Sequence, residues 1–369
     1  VDLKQESADK GKDYTVKKLK RDLEKGRTTQ EKIDAILARI HPTTDYSALK
    51  DAQLVVEAVF EDRGIKAKVT QQLEAVLPKD AVIATNTSAL PITELANAAE
   101  RPENFIGMHL FSPVERMPLI EIIRGKKTND AALARALDLC QLMGKTPIVV
   151  NDGPGFFTTR FIGAYINETM AMLTQGVSPA LIENAAKVVG LPVGPLAVSD
   201  EIGLDTAYHA AHQQEKDLGA NFKPGAAFAV INEMYEKQER HGKKNGKGFF
   251  DYDEEGNKSL WPGLGKIWPQ KPQSEQPTAK EVQTRMLYPQ LVDAVKCIEE
   301  GVLFDPVDGD LGAILGVGFP PYTGGPFCMM DAIGIANVVT ELDRLTAAYG
   351  EQFKAPQLLR DMAKNGQTF

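Results

Sequence analysis

The chain has 369 residues, 43% of them apolar and 25% charged, with a formal net charge of −8. This composition describes a globular chain long enough for more than one domain, and the acidic balance excludes the concentrated basic face of a nucleic-acid-binding domain. No apolar run reaches the roughly 18 residues of a membrane-spanning helix, and three scattered cysteines (Cys140, Cys297, Cys328) are consistent with reduced thiols in a cytoplasmic compartment.

The chain opens on Val1 with no signal-peptide pattern, which reads as a fragment of a longer protein. Residues 6–25 predict a basic amphipathic helix, and "TTQEKIDAILARI" a second, with Thr28 and Glu31 spaced as a capping box. "AQLVVEAVF" (52–60) then reads as a buried strand, 62–77 as a helix and "AVIATNTS" (81–88) as a strand. A short helix, "ITELANAA", precedes two apolar strands in "FIGMHLFSPVERMPLIEII". "NDAALARALDLCQLMG" is a helix and "TPIVVND" a final strand. Alternating strands and helices predict a mostly parallel α/β sheet over about 1–151.

After "GPGF" (153–156) the pattern is helical, interrupted by a Pro- and Gly-rich stretch at 259–279 with linker composition. The segments on either side repeat. Residues 160–176 match 285–301, each running from Arg to Gly, and Gly194-Pro195, Asp200 and Gly203 recur as Gly325-Pro326, Asp331 and Gly334. The register predicts two homologous all-α domains, at about 152–258 and 280–369, the second replacing a dimer partner.

The candidate chemistry sits in the paired strands. A short connection lets His109 and Glu121 lie side by side, and a carboxylate beside an imidazole fixes its tautomer and favours its charged form, which makes a general base. A satisfied core histidine is the competing reading. "NTS" (86–88) closes a strand at the C-terminal edge where open α/β sheets bind ligands, so Ser88 can address a substrate or cofactor, or simply start a helix. Val59, Phe60 and Glu61 lie at the end of another strand. Lys66 follows on a helix, where a solvated face is the ordinary reading. His209 and His212 lack the partners of a metal site, and Lys17, Lys18 and Lys20 are a solvated basic face or a phosphate contact.

The order and spacing of "VVEAVFED…K", "ATNTS", "GMHLFSPV", "PLIEII" and "VVNDGPGFFTTR" closely resemble the L-3-hydroxyacyl-CoA dehydrogenase family over essentially the whole chain. The repeated helical segment and "ERPENFIGMHLFSPVERMPLIEIIRG" narrow the resemblance to the dehydrogenase portion of bacterial multifunctional fatty-acid oxidation α subunits. It implies a Rossmann-like NAD-binding domain and NAD-dependent oxidation of (3S)-3-hydroxyacyl-CoA in β-oxidation. His109 is then the base and Glu121 its orienting carboxylate. Val59, Phe60, Glu61, Lys66, Ser88, Ser112 and Lys244 are cofactor contacts, and Ser88 and Thr159 substrate contacts. The resemblance further implies a fatty acyl-CoA substrate, an upstream hydratase/isomerase domain and a thiolase β subunit as partner.

Three departures stand out. Ser112 and Thr159 occupy positions where the family often has Asn. No G-x-G-x-x-G turn follows a strand, so the first β-α-β unit of the NAD-binding domain is absent from these residues. That absence keeps a second reading in view: a catalytically silent fragment or structural relative.

Overall fold

A computed structural model describes all 369 residues. Helix α1 (Gln5–Glu24) buries none of its residues and forms a hairpin with α2 (Gln30–Leu37). Thr29, in extended conformation, caps α2 by accepting from the Lys32 amide. The expected capping box is therefore displaced by one residue: Lys32 holds the third helical position, and Glu31 sits in the first turn, where its charge suits the helix dipole.

A five-stranded sheet follows, its strands β1 (Leu54–Glu57), β2 (Val82–Thr85), β3 (Phe105–Leu110), β4 (Leu119–Arg124) and β5 (Thr146–Asn151) lying in sequential order. All neighbours are parallel except β3 and β4, which are antiparallel. Two strands are shorter than expected because side chains replace the ladder at their ends. The Glu57 carboxylate takes the Val59 amide, and the Thr87 hydroxyl takes the Leu90 amide. Helices α3 (Arg63–Glu74) and α5 (Asp130–Leu142) are capped by Asp62 and Asn129. The two-residue period of the strands sends Ile106, Met108, Ile120 and Ile122 towards α5. Phe105, Gly107 and His109 face the other way, towards α4 (Ile92–Leu95). Gly107 is required there, since a Cβ would collide with Ile92 and Ile123.

The chain then forms α6 (Thr158–Thr174), α7 (Pro179–Val188), α8 (Pro195–Ile202), α9 (Leu204–Leu218) and α10 (Ala226–Asn232), the hairpin β6–β7 (Phe250–Tyr252, Lys258–Leu260) and the short α11 (Leu264–Ile267). Residues 259–279 are anchored, with Trp261 under the Arg240 guanidinium and the Lys271 amide bonded to the Gly176 carbonyl. Helices α12 (Ala279–Glu299), α13 (Pro306–Val317), α14 (Pro326–Ile333), α15 (Ile335–Tyr349) and α16 (Gln357–Asn365) complete the chain. Helix α13 lies directly on the sheet, where a Cβ at Gly312 or Gly316 would strike Ile148 or Leu119. Sheet and later helices thus share one apolar core, while the earlier helices keep another.

Helices α6 and α12 pack reciprocally. Arg160 bonds Asp293 at 3.1 Å, and Arg285 bonds Glu168, the residue that matches Asp293 in the repeat register. Asn151 donates to the Gly301 carbonyl as Gln276 does to that of Gly176. The turns also recur. Glu183 on α7 accepts the Leu196 and Ala197 amides, and Asp310 on α13 accepts those of Phe327 and Cys328.

Candidate active site

The antiparallel register of β3 and β4 sets His109 directly opposite Glu121. Imidazole Nδ1 donates to Glu121 Oε2 at 2.9 Å, which leaves Nε2 as the free ring nitrogen with no partner in the protein, and His109 keeps 7% of its surface exposed. Phe111 lies 4.4 Å from the imidazole, ring centroid to ring centroid, and Phe156 6.5 Å.

Glu121 is fully buried and has four donors. Oε1 accepts the Phe157 and Thr158 amides at 3.0 and 3.1 Å, and Oε2 accepts the Thr158 hydroxyl as well as His109. The amides are the first of α6, so the helix N-terminus stabilises the carboxylate as an anion. They are aimed by a tight turn in which Gly155 and Phe156 both have positive φ, 75° and 49°. For Phe156 this is a strained conformation costing about 1–3 kcal/mol, held by complete burial of its ring near the imidazole.

A second polar cluster ends β1 and β2. Lys66 is 2% exposed, bonded to Glu57 at 3.0 and 3.2 Å and 3.5 Å from Glu61. The solvated helix face expected for Lys66 is wrong: the first turns of α3 fold its ammonium back beneath the β1 loop, where two carboxylates meet it. Thr85 donates to Glu57, and Glu61 accepts the Thr87 hydroxyl and the Ser88 amide, which ties the loops after β1 and β2 together. Asn86 Oδ1 accepts the Leu110 amide and pins this edge to the strand carrying His109.

Ser88 is exposed, and its carbonyl accepts the Thr159 hydroxyl at 2.9 Å. Val59 is half-buried, and Phe60 is 82% exposed on the same loop as Glu61. Ser112 lies exposed on the β3–β4 loop, joined to Pro113 by a cis peptide bond. Glu115 on that loop is held at about 2 by its own amide, Lys18 and Tyr14, which fastens α1 there. Lys244 stands apart, paired with Asp205 at the start of α9. His212 pairs with Glu215, and His209 lies edge-on to Tyr208.

Sequence reasoning missed Thr158, Asn86 and Thr87 as members of the site. Asn86 and Thr87 stood in a motif noticed for Ser88. Nothing short of the register of α6 singles out Thr158.

The family model described as 3-hydroxyacyl-CoA dehydrogenase, NAD binding domain, matches residues 1–153, and that for the C-terminal domain matches 155–252 and 282–368. The chain belongs to the 3-hydroxyacyl-CoA dehydrogenase family. Among members of this family, it is 39% identical to the fatty acid oxidation complex subunit alpha of Shewanella amazonensis, over 96% of this chain and 50% of that protein. The chain thus spans about half the length of the curated relatives it matches. The (S)-3-hydroxybutyryl-CoA dehydrogenase of Ralstonia eutropha is 34% identical, with a TM-score of 0.63 over 69% of this chain and 89% of that one. An Escherichia coli 3-hydroxybutyryl-CoA dehydrogenase, 23% identical, shares the fold with a TM-score of 0.81 over 99% of this chain and 92% of that one.

Proposed function

We propose that this chain is the dehydrogenase portion of a multifunctional fatty-acid oxidation α subunit and oxidises (3S)-3-hydroxyacyl-CoA to 3-oxoacyl-CoA. The observation that carries this reading is the buried His109–Glu121 pair with Nε2 unpartnered. His109 Nε2 takes the proton of the substrate 3-hydroxyl while the C3 hydrogen leaves as hydride. Glu121 holds the imidazole in the Nδ1–H tautomer and balances the imidazolium that forms. Thr159 and Ser88, joined by a hydrogen bond, address the substrate oxygen.

NAD, when bound, would supply the hydride acceptor. The exposed Phe60, Ser88 and Ser112, at the C-terminal edge of the sheet, suit its nicotinamide end, with Val59 and Glu61 lining the same loop. Lys66 contributes through Glu57 and Glu61, and Lys244 is a more distant contact. Residues 1–53 form helices and turns with no strand and no glycine-rich turn, and β1 has one strand neighbour only. This supports the reading that these residues lack the first β-α-β unit with its phosphate-binding turn.

The domains are assigned as 1–151, 152–258 and 280–369, the last two as homologous copies, supported by the recurring carboxylate-held turns and the reciprocal arginine pairs. No helix is long and apolar enough to cross a membrane; a cytoplasmic enzyme paired with a thiolase β subunit completes the proposal. The alternative, a silent relative, is favoured only by the missing glycine turn. Calorimetric titration of NAD into these 369 residues and into a longer chain with an upstream strand-turn-helix, with NADH formation from (3S)- and (3R)-3-hydroxyacyl-CoA, decides between them. Tight binding and 3S-specific turnover in the longer chain alone are expected. Failure of the longer chain to turn over establishes the silent relative.

A further inference from the structure

The two oxygens of Glu121 are held differently. Oε1 faces two backbone amides, whereas Oε2 is shared between His109 and a side chain, the Thr158 hydroxyl at 2.6 Å. Thr158 is wholly buried. Four helical threonines elsewhere in this chain, Thr70, Thr284, Thr340 and Thr346, turn their hydroxyls back to the carbonyl four residues earlier. Thr158 is the first residue of its helix, so no earlier turn offers a carbonyl, and its hydroxyl bonds the one oxygen that anchors the imidazole.

We propose that Thr158 is a positioning residue of the dehydrogenase reaction, its hydroxyl taking one lone pair of Glu121 Oε2 and so setting how firmly that oxygen holds the His109 imidazolium. The inference rests on the acid–base reading of His109 and Glu121. A donor on a carboxylate oxygen disperses its charge and lowers its basicity towards the other donor. Thr158 thereby weakens the hold of Oε2 on the imidazolium. Other charged or titratable groups near the pair do not replace it. Arg160 on α6 is engaged with Asp293 and Glu300. Cys297 on α12 is a thiol that burial and then the Asp293 charge keep protonated, and Asp308 on α13 is turned to the Val149 amide.

The test is the pH profile of kcat/KM for 3-hydroxyacyl-CoA oxidation in the full-length enzyme carrying this chain. Thr158→Val keeps the shape and the helix amides. Its ascending midpoint should rise by about 0.5–1 pH unit, the scale of one hydrogen bond, with little change in KM. Thr158→Ser should restore the wild-type midpoint, and Thr158→Val should add nothing in a Glu121→Gln background. A folded Thr158→Val enzyme with an unmoved midpoint overturns the proposal. If Val lowers the melting temperature, the comparison is made between Ser and Ala, and equal midpoints there overturn it as well. His109→Gln is run alongside. Retained turnover there refutes the base assignment itself, whereas loss of turnover with no Thr158 effect refutes only the role of Thr158.

Discussion

Replacing Glu121 by glutamine changes one atom's chemistry and none of the shape, yet all four of its contacts are donors. An amide has one oxygen, so it must either face N–H against N–H or reverse the hydrogen bond to the imidazole. If the amide oxygen turns to His109 and Thr158, the NH₂ confronts the Phe157 and Thr158 amides, and a buried mismatch of about 1–3 kcal/mol follows. If it turns the other way, the NH₂ donates to Nδ1, moves the ring proton to Nε2 and removes the base. A wrong-tautomer histidine costs on the order of 10⁴ in kcat in the serine-protease triad, and general-base contributions run about 10²–10⁴. Glu121→Gln should therefore lower kcat by at least about 10²-fold and move the ascending limb of kcat/KM to lower pH, because the charge favouring imidazolium is gone. Steady-state kinetics across pH, with thermal melts to confirm folding, measure both. A Glu121→Gln enzyme with kcat near wild type and the same profile would leave the carboxylate a packing residue.

Lys66→Met should destabilise the protein by about 3–5 kcal/mol in urea unfolding, since it strands Glu57 as a buried unpaired charge, and Glu57→Gln/Lys66→Met should recover much of the loss. If NAD affinity in the full-length enzyme returns with the fold in the double variant, Lys66 acts through the loop; if it does not, the ammonium itself meets the cofactor. Burial pushes Asp200 up to about 6 against the amides of Phe250 and Phe249, the Tyr252 hydroxyl and Arg240. A carboxyl raised in the folded state contributes stability below the ordinary carboxylate range and loses it as pH rises to about 6. Asp200→Asn should remove that slope from a stability–pH curve, and an unchanged slope contradicts the assignment. Removing residues 280–369 should expose Ile148, Leu119, Phe157 and Phe161, all nearly or fully buried, and cause aggregation or new dimerisation. A soluble, stable monomer would contradict the pseudo-dimer.

His109 and Glu121 were legible because polar residues interrupting apolar strands stand out, and a short connection makes the strands neighbours. The arginine-to-glycine repeat was equally plain in the letters. That Arg160 on α6 bonds Asp293 while Arg285 on α12 bonds Glu168 was not, because that reciprocity belongs to the packing of α6 on α12. The burial of Lys66 was hidden for a similar reason. Its helix reads as polar, and only the fold brings Glu57 and Glu61 over it. The contact of α13 with the sheet depends on Gly312 and Gly316, two glycines that mid-helix propensity counts as a cost and close packing turns to use. Strand ends overshot wherever a side chain took over a backbone partner, as at Glu57 and Thr87.

The central claim, that His109 is the base of a hydroxyacyl-CoA dehydrogenase, is tested most directly by His109→Gln in the full-length enzyme under single-turnover conditions with NAD and (3S)-3-hydroxyacyl-CoA. Acyl-CoA binding should persist while the hydride-transfer rate falls by about 10²–10⁴-fold. A variant that forms NADH at close to the wild-type rate contradicts it.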